Sequence, residues 1–393
     1  MKKQLLFIIP SLNSGGAEKS LISLLSLFDY DKYDVDLLLF RREGLFLEKV
    51  PNEVRLVGDV SDYEAFDAGC VSSVKYFLFK GKFITALNRL RYARAFSQSD
   101  AYTRDKKLWS FLKKVLPKLD KRYDCAVGYL EGNASLYAVE CADADKKICF
   151  FHSDFKKLGL DETLCREIFG KADSIVTVSA ECKKSLDAIF GEFTDKIHII
   201  ENIISPKLIR SEAECTDVYD KLSDETVILT VGRCSPPKGI DIAVRAAAEL
   251  KERGLPFKWY HIGAGELFDE TAELVKSLDV SDRFIMLGER SGPYPYIGQC
   301  DIYVQPSRFE GKSIAIDEAK CLCRPIVVTD FPTVSDQITD GLNGIVCKAE
   351  SRDIADRVEM LIKSPSLRKS LSDELLREDV GNESEIEKFY SLL

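Results

Sequence analysis

The sequence predicts an α/β protein made of two doubly wound parallel-sheet domains. Three observations carry that prediction. Short runs of four to seven residues, rich in Val and Ile, recur along the chain and are apolar at odd and even positions alike. Strands covered by helices on both faces must read this way. Longer amphipathic stretches lie between many of these runs, which is the alternation of βα units. The alternation lapses once, around residues 203–225, into polar and acidic sequence, and then restarts.

The expected strands of the first series are Leu5–Ile9, Val35–Phe40, Ala126–Leu130, Lys147–Phe151, Ser174–Ser179 and Ile197–Glu201. The second series is Val227–Val231, Lys258–Ile262, Phe284–Leu287, Ile302–Gln305, Ile326–Thr329 and Gly344–Cys347. Helices are expected at Glu18–Phe28, Ile240–Arg253, Ile314–Cys323 and in the tail Glu383–Leu393. The boundaries expected from this pattern are 1–204 for the first domain, 205–375 for the second and 376–393 for a terminal helical segment. Two doubly wound domains facing each other leave a cleft at the carboxyl ends of their strands, where ligands are expected.

Composition narrows the class of function. The 393 residues are 45% hydrophobic and 30% charged, which excludes a disordered chain or a disulfide-stapled miniprotein. The net charge of −9 argues against general nucleic-acid binding. Twelve cysteines are scattered with no C-x-x-C pair, so no zinc or redox motif is expected, and a reducing cytoplasm suits them. The apolar run Leu5–Ile9 is too short for a signal peptide core or a membrane span and reads as a buried first strand.

Charge is uneven. Residues 71–122 carry nine Lys and five Arg against three Asp and no Glu, so 14 positive and 3 negative charges. The remainder of the chain therefore holds −20. Aromatic and aliphatic residues interleave with these cations in a helical insertion at about 60–122, for which three readings stand: contact with an anionic membrane surface through 75–122, a solvated or acceptor-contacting face, and nucleic acid, in that order.

Three loops and one histidine are the candidates for chemistry. Ser11–Glu18 leaves the first strand and enters a helix; Gly15 and Gly16 are expected to permit positive φ and close backbone approach to an anion. Gly232–Gly239 leaves the first strand of the second series, and its Arg233 and Lys238 suit the two phosphoryl groups of a diphosphate. Residues 305–318 form the strongest signal, with Glu310, Gly311, Lys312 and Ser313 before a helix that contains Glu318. Ser313 is a plausible N-cap residue, and the loop amides suit an anion or sugar hydroxyls. His152 closes a strand; His198 and His261 lie inside strands and read as core histidines.

Taken in order and spacing, Gly15-Gly16-Ala17-Glu18, Gly232-Arg233…Lys238-Gly239 and Glu310-Gly311…Glu318 resemble retaining glycosyltransferases of the GT-B fold, glycosyltransferase family 4. The stretch Phe309–Ser313 with Asp317–Lys320 looks like bacterial capsule, exopolysaccharide or cell-wall glycan transferases. The resemblance implies a nucleotide-sugar donor, with a UDP-sugar favoured, held mainly by the second domain; the expected acceptor is a lipid-linked or protein-linked glycan at the cytoplasmic membrane face. It implies that Arg233 and Lys238 hold the diphosphate and that Glu318 accepts hydrogen bonds from the ribose. Glu310 and the amides of Gly311, Lys312 and Ser313 would contact the donor sugar and phosphate. Gly15 and Gly16 would approach the diphosphate, with His152 beside the reacting centre. Asn202 matches a family position beside the interdomain linker, and the tail helix is expected to cross back to the first domain.

No cofactor and no metal are expected. The Asp-x-Asp triplets at Asp29–Asp31, Asp34–Asp36 and Asp143–Asp145 read as chance in an acid-rich chain. The chain departs from the family in carrying Pro236-Pro237 where an acidic residue often precedes the lysine. Two rival functions share the architecture: a non-catalytic GT-B partner subunit, which would lose donor-site residues, and a sugar-nucleotide epimerase, which the Arg233/Lys238 and Glu310/Glu318 spacings fit less well.

Overall fold

The computed structural model describes residues 2–13, 15–96, 100–153, 155–214, 218–219 and 224–393. Ser14, Asp154, Cys215 and parts of the acidic stretch 217–224 lie outside the described residues. The chain divides into two compact units, Met1–Ile203 with Ser384–Leu393, and Ile204–Glu383.

The first unit holds strands β1 (Lys3–Ile9), β2 (Tyr33–Leu39), β3 (Arg55–Leu56), β4 (Tyr123–Gly128), β5 (Ala144–Phe151), β6 (Ser174–Thr177) and β7 (Ile197–Ile199). They form one sheet in the order β3-β2-β1-β4-β5-β6-β7, and every pairing is parallel. Its helices are α1 (Gly16–Ser26), α2 (Ser61–Asp67), α3 (Cys70–Phe79), α4 (Phe83–Ala95), α5 (Ala101–Leu112), α6 (Asn133–Glu140), α7 (Phe155–Leu158), α8 (Glu162–Lys171) and α9 (Ala180–Ile189).

The second unit holds β8 (Thr226–Val231), β9 (Phe257–Ile262), β10 (Phe284–Gly288), β11 (Ile302–Gln305), β12 (Ile326–Thr329) and β13 (Ile345–Cys347). They pair in parallel in the order β10-β9-β8-β11-β12-β13. Its helices are α10 (Pro206–Ala213), α11 (Ile240–Glu252), α12 (Phe268–Ser277), α13 (Tyr294–Gln299), α14 (Ile314–Cys321), α15 (Ser351–Lys363) and α16 (Pro365–Leu375). The last helix, α17 (Glu385–Leu392), belongs to the first unit.

The double parity of the strands follows from two cores per sheet. In β1, Leu6 and Ile8 pack on one face with Phe40, Phe151 and Trp109, while Leu5, Phe7 and Ile9 pack on the other with Leu21, Leu25 and Phe389. In β8, Ile228 joins the core under α11 and α15, while Val227 and Leu229 join the one under α13 and α14. The two-residue edge strand β3 escaped the sequence reading because a run that short carries no periodicity.

Two features fix the first unit. Phe389 of α17 meets Phe7, Phe28 and Phe150 at 5.8–6.1 Å between ring centres, and the Glu201 amide donates to Glu385. Glu140, at the end of α6, accepts hydrogen bonds from Trp109 Nε1 at 2.8 Å, Lys171 Nζ at 2.8 Å and Lys113 Nζ at 3.2 Å, which ties α5 and α8 to it. Burial pushes its carboxyl up, but these donors outweigh that and hold it at about 2. A carboxyl lowered in the folded state stabilises the fold above its ordinary value of 4.5, and loses that contribution as the pH falls toward 2. Glu140→Gln is expected to lower stability by about 1–2 kcal/mol at neutral pH, with the difference from wild type vanishing in urea melts near pH 2.

Asp36 is consumed structurally: it accepts from Arg55 Nε at 2.8 Å, Lys121 Nζ at 2.9 Å and the Tyr123 hydroxyl at 2.9 Å. No helix among the described residues is long and apolar enough to cross a membrane.

Candidate functional site

The expected site residues fall into two sets, one in each unit. In the second unit the set is built on the strand ends of β8 and β11. β8 runs out at Val231, and a turn carries Arg233 to the surface. Pro236–Lys238 makes one tight helical turn, and Gly239 then enters α11 with φ +64°. A Cβ at Gly239 would lie 2.1 Å from the Pro306 carbonyl oxygen. Only glycine allows both that backbone and that approach. Gly239→Ala is expected to cost about 2–4 kcal/mol in denaturant melts, because a backbone carbonyl has nowhere to retreat.

The β11 loop closes over this turn. The amides of Arg308 and Phe309 both donate to the Pro237 carbonyl, at 2.7 and 3.2 Å. The Arg308 guanidinium holds Asp241 through both nitrogens, at 2.8 and 2.6 Å, and the Pro236 carbonyl at 3.0 Å. The Pro236 and Pro237 carbonyls are thus both held by the β11 loop, one by the Arg308 guanidinium and one by the Arg308 and Phe309 amides. Neither Arg308 nor Asp241 stood out in the sequence, since their pairing spans two loops.

Clamped in this way, Lys238 reaches Glu310. Its Nζ lies 2.7 Å from Oε1 and 2.8 Å from Oε2. Glu310 Oε1 also accepts from Ser307 Oγ at 2.7 Å and Gln305 Nε2 at 3.1 Å. Glu310 is 7% exposed, so these donors replace its lost water. An ammonium has three protons, and two are directed at the carboxylate; the third is available to an incoming anion. Gln305 and Ser307 are positioning residues that the sequence reading passed over, although both sit at the end of β11.

Glu318 lies in α14, 2% exposed, and accepts from the Tyr294 hydroxyl at 3.3 Å. Burial, with the Glu318 charge beside it, pushes the Tyr294 phenol well up, so it remains a proton donor. Gly311 and Lys312 are exposed on the loop that precedes the helix.

Two expectations for these loops need correction. Ser313 precedes α14, but its side chain makes no capping bond. Its amide instead donates to Gln337 Oε1 at 2.9 Å, so that amide is already committed and does not face a ligand. Gly15 is extended, with φ −88°, and neither it nor Gly16 adopts positive φ. What glycine permits at 15 is the return of the Glu18 carboxylate, which would lie 2.0 Å from a Cβ there.

His261 proves to be a support for the Arg233 turn. It is fully buried, and its Nε2 donates to the Gly232 carbonyl at 2.9 Å. Burial holds its ring at about 4, hence neutral.

In the first unit, His152 follows β5. A carbonyl can only accept, so the 2.9 Å contact of Nε2 with the Tyr129 oxygen places the proton on Nε2 and leaves Nδ1 with a lone pair. The ring stacks on Phe150 at 5.6 Å between centres. The His152 amide donates to Glu131 Oε2 at 3.1 Å, and the Asn202 side chain lies beside the ring. Burial drives the imidazole down to about 4, against the pull of the Tyr129 carbonyl and Asn202. His152 is therefore a neutral hydrogen-bonding group at physiological pH rather than an acid. Among the described residues no cluster of three or more His, Cys, Asp or Glu could hold a metal ion.

Comparison with known proteins bears on this geometry. Residues 214–375 match the family model described as glycosyl transferases group 1, and this segment contains the whole second-unit set. The chain is 32% identical over 164 residues to alpha-D-kanosaminyltransferase of Streptomyces kanamyceticus, an alignment covering 41% of this chain and 42% of that protein. It is 26% identical over 226 residues to the N-acetylgalactosamine-N,N'-diacetylbacillosaminyl-diphospho-undecaprenol 4-alpha-N-acetylgalactosaminyltransferase of Campylobacter jejuni, covering 57% and 60%. The chain thus spans less than two thirds of either relative. HepE from Anabaena, solved in complex with UDP and glucose, superposes with a TM-score of 0.68 at 16% identity, covering 99% of this chain and 98% of that one. The two parallel-sheet units have the GT-B fold.

Proposed function

We propose that the chain is a retaining, metal-independent glycosyltransferase of family 4 (EC 2.4). It moves a sugar from UDP to a lipid-linked glycan acceptor during capsule, exopolysaccharide or other cell-surface glycan synthesis, at the cytoplasmic face of the membrane. The observation that carries this reading is the Lys238–Glu310 pair, 2.7 Å apart on clamped strand-end loops, inside the segment that matches the group 1 glycosyl transferases. The UDP and glucose bound by HepE, and the diphospho-undecaprenol acceptor in the name of the Campylobacter relative, support the donor and acceptor classes.

In this reading the diphosphate binds Arg233 and the spare proton of Lys238. As the bond from the sugar to phosphate breaks, negative charge grows on the leaving UDP. These two cations stabilise that charge more than they stabilise the bound donor, which is what lowers the barrier. They supply the role a metal ion plays elsewhere. Glu318 accepts the ribose hydroxyls. Glu310 Oε2, with Lys238 as its donor among the described residues, accepts a sugar hydroxyl. Attack comes from the face the phosphate leaves, and the phosphate takes the acceptor proton.

The test is a panel of nucleotide sugars followed by melting temperature and by UDP release. One UDP-sugar is expected to raise the melting temperature and to be hydrolysed slowly without acceptor. If no nucleotide sugar stabilises the protein, the donor assignment fails. Stabilisation without any UDP release, in the presence of lipid-linked acceptors, would mark a non-catalytic partner instead.

A further inference from the structure

The helical insertion of the first unit is built inside out. In α4 the large apolar residues Phe83, Ile84, Leu87 and Leu90 are turned to solvent; they recur at helical spacing and make one apolar stripe. The opposite, buried face carries Arg89 and Asn88 beside Ala86 and Tyr92. Arg89 stacks on Phe66 and Tyr92 and donates to the Ala68 carbonyl at 3.0 Å. A charged residue has gone into the core while four large apolar ones remain outside. Nothing in the packing of a monomer favours that exchange.

The neighbouring helix continues the surface. α3 packs against α4, and its last turn exposes Leu78 and Phe79. Exposure at the hairpin tip reaches 91% for Phe79, 67% for Phe83 and 78% for Ile84. Such a contiguous apolar patch marks a place of contact. Its borders are basic: Lys75 and Lys80 on one side and Arg91 on the other are all exposed.

We propose that the α3–α4 hairpin is a docking surface for an anionic lipid bilayer, with Phe79, Phe83 and Ile84 entering the acyl boundary and the lysines staying among the headgroups. α4 is about 20 Å long, and an apolar stripe along one face with cations at its edge lets a helix lie in the plane of the interface. Charge complementarity selects the occupant. Residues 70–95, the hairpin itself, carry six cations and no acid; Lys82 pairs with Asp62 and Arg89 is buried, while Lys75, Lys80, Arg91 and Arg94 are exposed and face a negative surface favourably. The inference goes beyond the sugar-transfer reading and holds without it.

The test uses the full chain and co-sedimentation with phosphatidylcholine vesicles, with and without phosphatidylglycerol. Binding is expected only with the anionic lipid, and it should weaken as salt rises. The variant Phe79→Ser/Phe83→Ser/Ile84→Ser should lower the bound fraction by about tenfold or more, and Lys75→Glu/Lys80→Glu should lower it independently. All five side chains are exposed, so both variants should melt as wild type does. Equal binding to neutral vesicles, no binding at all, or wild-type binding by the serine variant each overturns the proposal. So does a lipid-free dimer, seen by sedimentation velocity, that the serine variant converts to monomer, because a second copy would then cover the face. Stabilisation by UDP-sugar, measured on the same samples, should not change in the serine variant; loss of that signal in wild type alone would count against the transferase reading and leave the docking result standing.

Discussion

Lys238→Ala is expected to lower kcat/KM for sugar transfer by about 100–1,000-fold, the size of effect seen when one preorganised stabiliser of a leaving group is removed. It should also abolish the thermal stabilisation by UDP. The pairing with Glu310 makes the interpretation stricter than a single substitution allows. Without Lys238, a carboxylate 7% exposed keeps Ser307 and Gln305 as its donors among the described residues. That should cost about 1–3 kcal/mol of stability, toward the lower end because Lys238 is itself partly solvated. The double variant Lys238→Ala/Glu310→Gln removes the uncompensated charge. It should regain most of the stability and none of the UDP binding. Should the double variant bind UDP as wild type does, Lys238 is a structural cation and the donor site lies elsewhere.

Glu318→Ala is the second large effect. The carboxylate is 2% exposed, and Tyr294 donates to it from the adjacent α13. Truncation removes two acceptor oxygens and leaves a buried phenol without this partner, so stability should fall by about 1–3 kcal/mol. UDP affinity should fall by about 100-fold or more, since a hydrogen bond to a charged acceptor in a dry site is worth that much. Glu318→Gln keeps the shape and one acceptor. It should recover the melting temperature while UDP binding remains weakened. Equal UDP affinity in the alanine and wild-type proteins would remove Glu318 from the donor site.

The sequence by itself determined the class of fold and where to look. Short apolar runs at both parities, rich in Val and Ile and bounded by turns, as in Leu5–Ile9 and Val227–Val231, read as strands covered on both faces, and the structure places alternate residues of Leu5–Ile9 and Val227–Leu229 in separate cores. Arg233, Lys238 and Glu310 were legible because charged residues at strand ends, next to glycine, are not required by packing. The basic excess at 71–122 was a matter of counting.

What only the tertiary structure decided depends on neighbours distant along the chain. Arg308 and Asp241 are ordinary surface residues until two loops meet, and Gly239 is an ordinary glycine until the Pro306 carbonyl stands 2.1 Å from its missing Cβ. Ser313 looked like a cap, yet Gln337, from 24 residues away, takes its amide. His152 carries its proton on Nε2 because the Tyr129 carbonyl of another strand end is there to receive it. The outward apolar stripe of α4 was hidden too, because its sequence is amphipathic in either orientation. Periodicity reports that a helix has two faces; which face turns inward is settled by the elements that pack against it.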